Sequence, residues 1–171
     1  NLFVYYQEGD PTKVVAPDFF AVRGVPRGQR RVYKVWEEGK APEVVVELTS
    51  PTTHLEDLGN KRAIYEEIGV REYFICDPLL KAGKPNLRGF RLKGGVLLPI
   101  PEARREEGMP VFTSEVLGLE LHGSGSALRW VDPRTGRPLP NLEEIRRRAE
   151  QEQQRAEQEK QRADAAEGEL A

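Results

Sequence analysis

Apolar positions along the chain fall into short blocks separated by turn residues, and one block changes rhythm. Leu2 to Tyr6 reads as a strand, followed by a turn over Gln7 to Pro11. Val14 to Val22 reads as a second strand, with Pro17 marking a strand start or an edge. Val32 to Trp36 is short structure before Glu37, Glu38 and Gly39. Val44 to Leu48 is apolar on both faces, the pattern of a central strand covered on both sides. From Leu55 to Gly69 the spacing switches to that of a helix whose inward stripe is Leu58, Ile64, Tyr65 and Ile68, with Gly69 as its C-terminal glycine. Arg71 to Asp77 is the next strand, stopped by Pro78. Strand, helix and strand form a βαβ unit, which predicts two parallel strands with a helix on one face. Leu87 to Ile100 reads as a hairpin turning at Gly94 and Gly95, and Leu117 to Leu121 with Leu128 to Val131 as a closing pair around Gly123 to Ser126. The predicted core is α/β with an antiparallel extension.

Two charges break this pattern. Lys61 falls on the inward stripe of the helix by i, i+3 and i+4 spacing, and Glu47 stands inside the apolar strand Val44 to Leu48. Each charge requires compensation if it is buried. Two misplaced charges of opposite sign on consecutive elements point to a site.

Composition sets limits. The chain has 171 residues, 38% hydrophobic and 32% charged, enough for one core and an appendage. Asn1 leads directly into a strand, which predicts an N-terminally truncated fragment. No apolar stretch has the length of a membrane span and no signal peptide is visible, so no membrane partner is expected and the location read from sequence is cytoplasmic. The single cysteine, Cys76, excludes an internal disulfide and reads as a small core residue.

The net charge is -2, and the segment after Pro140 carries nine acids and six bases, leaving the remainder about neutral. A global nucleic-acid footprint is therefore missing. Locally, Arg23, Arg27, Arg30, Arg31 and Lys34 form a run without an acid, broken by Gly24, Pro26 and Gly28. A solvated loop and a loop that contacts nucleic-acid phosphates both fit it.

The domain boundary falls at Pro140. Residues 1–140 form the globular domain and 141–171 a charged helical or coiled-coil tail. Leu142, Ala149, Ala156, Ala163 and Leu170 recur every seven residues, while the second seam holds Ile145, Glu152, Glu159 and Ala166. A solvated single helix fits this, and so does weak self-association, in which the tail binds another copy or another protein.

The candidate chemistry follows from residue types. Cleavage of a phosphodiester with metal assistance needs hard oxygen ligands, usually one or two carboxylates, and a cation near the attacking water. Asp18 follows Pro17 at a strand start, Glu47 lies in the central strand, and Lys61 lies on the inward face of the next helix. If the strands of Asp18 and Glu47 are neighbours, the two carboxylates meet beneath Lys61.

These residues carry a resemblance. Pro17-Asp18, then Pro42 to Pro51 around Glu47, Asp57 to Tyr65 around Lys61, and Gly69 to Pro78 are together similar to the bacterial putative restriction endonuclease family of the PD-(D/E)XK nuclease superfamily. The resemblance covers about residues 2–140. It implies a restriction-endonuclease-like mixed central sheet with flanking helices, here followed by the heptad-repeat helix. It also implies a divalent-metal-dependent endonuclease acting on DNA, with Asp18 and Glu47 holding Mg²⁺ (or Mn²⁺) and Lys61 assisting the nucleophilic water. The usual lysine position, two residues after the glutamate, holds Thr49. Lys61 then fills that role from the helix.

Structural alternatives accompany each residue. Lys61 can lay its stem over the helix edge with its ammonium in water. Asp18 can be a turn-forming acid, and Glu47 can pair with an arginine. Glu43 and Asp57 read as exposed acids, His54 as a solvent-exposed loop residue, and Tyr65 as core with a satisfied hydroxyl. Ser50 and Thr49 read as water-orienting or capping residues. A protein with the nuclease fold and no chemistry, binding nucleic acid or assembling through its tail, is the alternative function.

Overall fold

The computed structural model describes residues 2–49, 57–77, 86–106, 108–124 and 127–168. The contacts divide the chain into two units, Asn1–Arg137 and Pro138–Ala171.

The first unit is built on a five-stranded sheet. Its strands are β3 (Phe19–Ala21), β5 (Val44–Leu48), β6 (Glu72–Asp77), β7 (Asn86–Lys93) and β8 (Val96–Pro99), in that spatial order. Three valines lead β5, and both β5 and β6 bury nearly every residue, because β-branched and aromatic side chains fit a pleated surface covered on both sides. β5 and β6 are parallel, with Glu47 level with Ile75, and the other pairings are antiparallel. The mixed sheet and the βαβ unit therefore match the sequence pattern. Gly94 and Gly95 turn the β7–β8 hairpin with positive φ.

One face of this sheet is covered by a small sheet of β1 (Phe3–Tyr5), β2 (Val14–Val15) and β4 (Val32–Lys34), together with the helix after β5. A four-residue helix, α1 (Val35–Glu38), follows β4. The segment expected as one strand from Val14 to Val22 is two strands in different sheets. Buried Pro17, which cannot donate to a ladder, lies between them.

The opposite face differs from the expected helical flank. It is covered by a second five-stranded sheet: β9 (Arg104–Glu106), β10 (Met109–Ser114), β11 (Leu119–Ser124), β12 (Ala127–Asp132) and β13 (Arg137–Pro138). Phe112, Val116 and Leu121 from this side pack with Val44, Val46, Phe74 and Cys76. A Cβ on Gly89 of β7 would lie 3.0 Å from both Phe112 and Phe74, so the close approach of the two layers requires glycine there.

The helix after β5 begins with a π-helical turn, Asp57–Lys61, and continues as α2 (Arg62–Glu67), with Gly69 in the left-handed region after it. The expected start at Leu55 lies outside the described residues. Tyr65 is fully buried, and Ile64 and Ile68 pack against the same cluster. In the second unit, α3 (Leu142–Gly168) exposes Leu142 and Ile145. Asn141 caps it through a reciprocal pair, its side chain accepting from the Glu144 amide while Glu144 accepts from its own. A heptad seam finds no partner helix among the described residues of the chain.

Candidate active site

The antiparallel register of β3 on β5 pairs Phe19 with Val46 and Phe20 with Val45. Asp18 immediately precedes β3, so it lies beside the end of β5 that carries Glu47. The strands named in the sequence condition are neighbours.

Glu47 is 1% exposed. Its Oε1 accepts a hydrogen bond from the Tyr65 hydroxyl at 2.6 Å, and its Oε2 lies 3.2 Å from Lys61 Nζ. Both partners come from the π turn and α2, four residues apart, so one helix face presents a donor and a cation to one carboxylate. With its Nζ at Glu47 and its side chain 24% exposed, Lys61 points toward the sheet. Tyr65 is core, as expected, and its hydroxyl is satisfied by the candidate site itself.

Asp18 is exposed, and its Oδ2 accepts from the Leu48 N–H at 2.8 Å. That bond takes the place of a ladder bond where β3 begins, and it ties the Asp18 carboxylate to the residue that follows Glu47. Burial pushes the Glu47 carboxyl above its ordinary pKa. The Tyr65 and Lys61 contacts oppose the shift, and the charge of Asp18 adds to it. The pair is thus a buried carboxylate beside a second negative charge, with one ammonium as partial compensation.

This donor set suits a hard cation. One or two carboxylates with water completing the shell are what Mg²⁺ takes from proteins, and a cation at Glu47 would offset the burial that raises its pKa and the smaller repulsion from Asp18. Among the described residues no group of three or more His, Cys, Asp or Glu side chains is disposed to hold a metal, so the set is limited to the two acids. Thr49, at the position of the usual lysine, is buried, and its N–H donates to Cys76 O at 2.8 Å. His54 and Ser50 lie outside the described residues.

The basic run lies elsewhere. Arg23 pairs with Glu43 at 3.1 Å, Lys34 with Glu37 at 2.7 Å, and Arg30 with Glu38. Arg27 and Arg31 are exposed. The run has no acid in sequence, but α1 and the start of β5 supply acids in space.

Glu43 and Glu72 are among the buried acids that escaped the sequence reading. Glu43, expected to be exposed, is 5% exposed and lies within 3.3 Å of Lys40 and Arg71 in addition to Arg23. These bonds hold its carboxyl down at about 2. Glu72 is fully buried, 3.0 Å from Arg91 Nη2, and accepts from the Ser114 hydroxyl and the Glu115 N–H. Glu72 is the first residue of β6 and begins an apolar run, so it lacks the signal that marked Glu47. Cys76 is buried, and burial pushes its thiol up to about 11, which suits a core residue.

Comparison with known proteins gives one family. No curated protein matches the chain. A family model described as "Putative restriction endonuclease" matches residues 2–122, which contain Asp18, Glu47, Lys61 and Tyr65. No helix among the described residues is long and apolar enough to cross a membrane. The match spans more than half of the chain and includes the whole Asp18–Glu47–Lys61 constellation, and the chain belongs to the Uma2 family of putative restriction endonucleases.

Proposed function

We propose that the protein is a divalent-metal-dependent endonuclease that hydrolyses DNA phosphodiester bonds. The observation that carries this reading is the juxtaposition of Asp18 and Glu47 on adjacent strands, with Lys61 Nζ 3.2 Å from Glu47 Oε2. Family membership supports the same chemistry.

In this reading Asp18 and Glu47 hold Mg²⁺ or Mn²⁺. When bound, the metal supplies Lewis acidity at the phosphate and lowers the pKa of a coordinated water. The chain's own residues do the rest. Tyr65 fixes one oxygen of Glu47, so that the carboxylate is presented in a single orientation. Lys61 donates to the attacking water and offsets charge on the phosphate oxygens as the water adds to phosphorus and the P–O bond breaks. The products are a phosphomonoester and a hydroxyl.

The test is nicking of supercoiled plasmid in Mg²⁺ or Mn²⁺. Wild type is expected to nick, and Asp18→Ala and Lys61→Ala to be inert. Equal nicking by all three overturns the assignment. A second reading, a nuclease fold without chemistry that assembles through its tail, draws on the exposed Leu142 and Ile145 of α3. It predicts no heat of divalent-metal binding and a change in solution mass when residues 138–171 are deleted.

A further inference from the structure

The sheet face opposite Lys61 carries a feature that phosphodiester chemistry alone does not use. Between the β3–β5 edge and the second sheet lies a cleft of about 430 Å³, with Asp18 on its rim and Phe19, Val46, Leu48, Leu121, Leu128 and Trp130 around it. Its size falls in the range of small-ligand sites. Phe19 is 40% exposed and Leu48 51% exposed. Each is the immediate neighbour of a proposed metal ligand, Phe19 of Asp18 and Leu48 of Glu47. The period of a strand sends neighbouring side chains to opposite faces, so Glu47 faces the helix side and Leu48 the cleft, while Asp18, just before β3, stands on the cleft's rim.

The cleft is aromatic at its centre. Phe19 and Trp130 lie with ring centroids 6.0 Å apart, and Phe74 braces Trp130 edge-on at 5.9 Å. A braced indole beside a half-exposed phenyl ring is a rigid stacking surface. Asp18 supplies the only charge among the described lining side chains, and its sign repels phosphate. The occupant therefore offers a neutral, flat, apolar face.

We infer that this cleft is a nucleobase subsite, in which an unpaired base stacks on Phe19 and Trp130 while the phosphate next to it lies at Asp18 and Glu47. The inference rests on the nuclease reading for the position of the phosphate. It names the substrate class: a strand with at least one unpaired base beside the cleaved bond. Bases inside a duplex have their faces covered by their neighbours and cannot offer one to Trp130.

The experiment uses the full chain carrying Trp36→Phe, so that Trp130 is its single tryptophan. Fluorescence is titrated with single-stranded DNA in Ca²⁺, and the strand is scanned with one abasic position at a time. Single strands are expected to quench Trp130. Trp130→Leu is expected to weaken single-strand binding roughly 5- to 150-fold, the range for losing one stacked base. Trp130→Phe retains a ring and stays within a few-fold of the parent. It also guards against misreading a folding defect. In the parent protein one abasic position reproduces the loss, with no change to the protein.

Affinity that stays within twofold through both the abasic scan and Trp130→Leu overturns the subsite, and so does failure to bind single strands. If metal-dependent nicking persists in that case, only the subsite falls. A full abasic and Trp130 dependence without nicking leaves the subsite standing and removes the nuclease reading. A dimer that Trp130→Leu dissociates, with DNA binding unaffected, assigns the cleft to a second copy and overturns the proposal.

Discussion

Glu43 and Glu47 stand at opposite ends of one five-residue stretch, both at most 5% exposed, and they are treated in opposite ways. Glu43 is surrounded by Arg23, Lys40 and Arg71, and its carboxyl is held at about 2. Glu47 has one ammonium and one hydroxyl, with a second carboxylate nearby, and burial drives its pKa up. Both have their backbone in or next to β5, so the difference is made by partners. An acid that only holds structure together is best surrounded by cations, because an unpaired buried charge is costly. An acid left under-compensated beside another acid destabilises the metal-free fold and gains most from a cation that arrives later. Under the proposed function, the contrast separates a structural carboxylate from a metal ligand.

The largest effect that can break this contrast is on activity. Glu47→Gln and Asp18→Ala are each expected to lower metal-dependent nicking by on the order of 10²–10³-fold, the scale for removing one group that stabilises transition-state charge. Glu43→Gln is expected to leave nicking within a few-fold. If Glu43→Gln abolishes nicking in protein that remains folded, the division between the two acids is wrong.

Stability comes next. Glu43→Gln removes charge-assisted bonds to three cations and is expected to destabilise the fold by about 1.5–3 kcal/mol at neutral pH, measured by urea denaturation. A smaller third effect concerns Tyr65→Phe, which deletes the donor to Glu47 Oε1 with the ring retained. It is expected to weaken Mn²⁺ binding about tenfold by calorimetry, as other losses of groups that orient a ligand do. Unchanged Mn²⁺ affinity would show that Glu47 needs no orienting partner.

The contrast between these acids was only half visible in the sequence. Glu47 and Lys61 announce themselves because each interrupts a periodic apolar pattern, and Pro17 marks the approach to β3, the strand that pairs with β5. Glu43 begins an apolar run instead of interrupting it, and two of its partners lie 20 and 28 residues away, so no local signal reports its burial. The acids that pair with Arg23 and Arg30 are likewise brought in by folding, so the run alone does not report these ion pairs. The second sheet was partly legible. β11 and β12 follow a clear pattern, while β10 carries Pro110 inside it and β9 is the exposed run Arg104–Glu106, and both lack an apolar alternation that would mark them. Which layer covers the far face of the central sheet is a property of long-range packing, set by Gly89, Phe74 and Phe112.

The finest test of the comparison is the sign of two pH slopes in metal-free protein. Glu43 has a folded-state pKa below its ordinary value of 4.5, so its contribution is present above about 4.5 and is lost as the pH falls toward about 2. Glu47 has a folded-state pKa above 4.5, so its contribution is present below 4.5 and is lost as the pH rises through the raised value. Relative to wild type, Glu43→Gln is therefore expected to recover stability on acidification, and Glu47→Gln to gain stability as the pH rises from 4.5. Each slope is bounded by about 1.4 kcal/mol per pH unit, the limit for one proton. The Glu47→Gln gain is the smaller, because the amide keeps the Tyr65 bond but gives up the ion pair with Lys61. At 24% exposure Lys61 retains some water, which limits that loss. Stability measured by denaturant midpoint from about pH 2.5 to 8 reads both slopes, and parallel slopes would show that the two acids are structural alike.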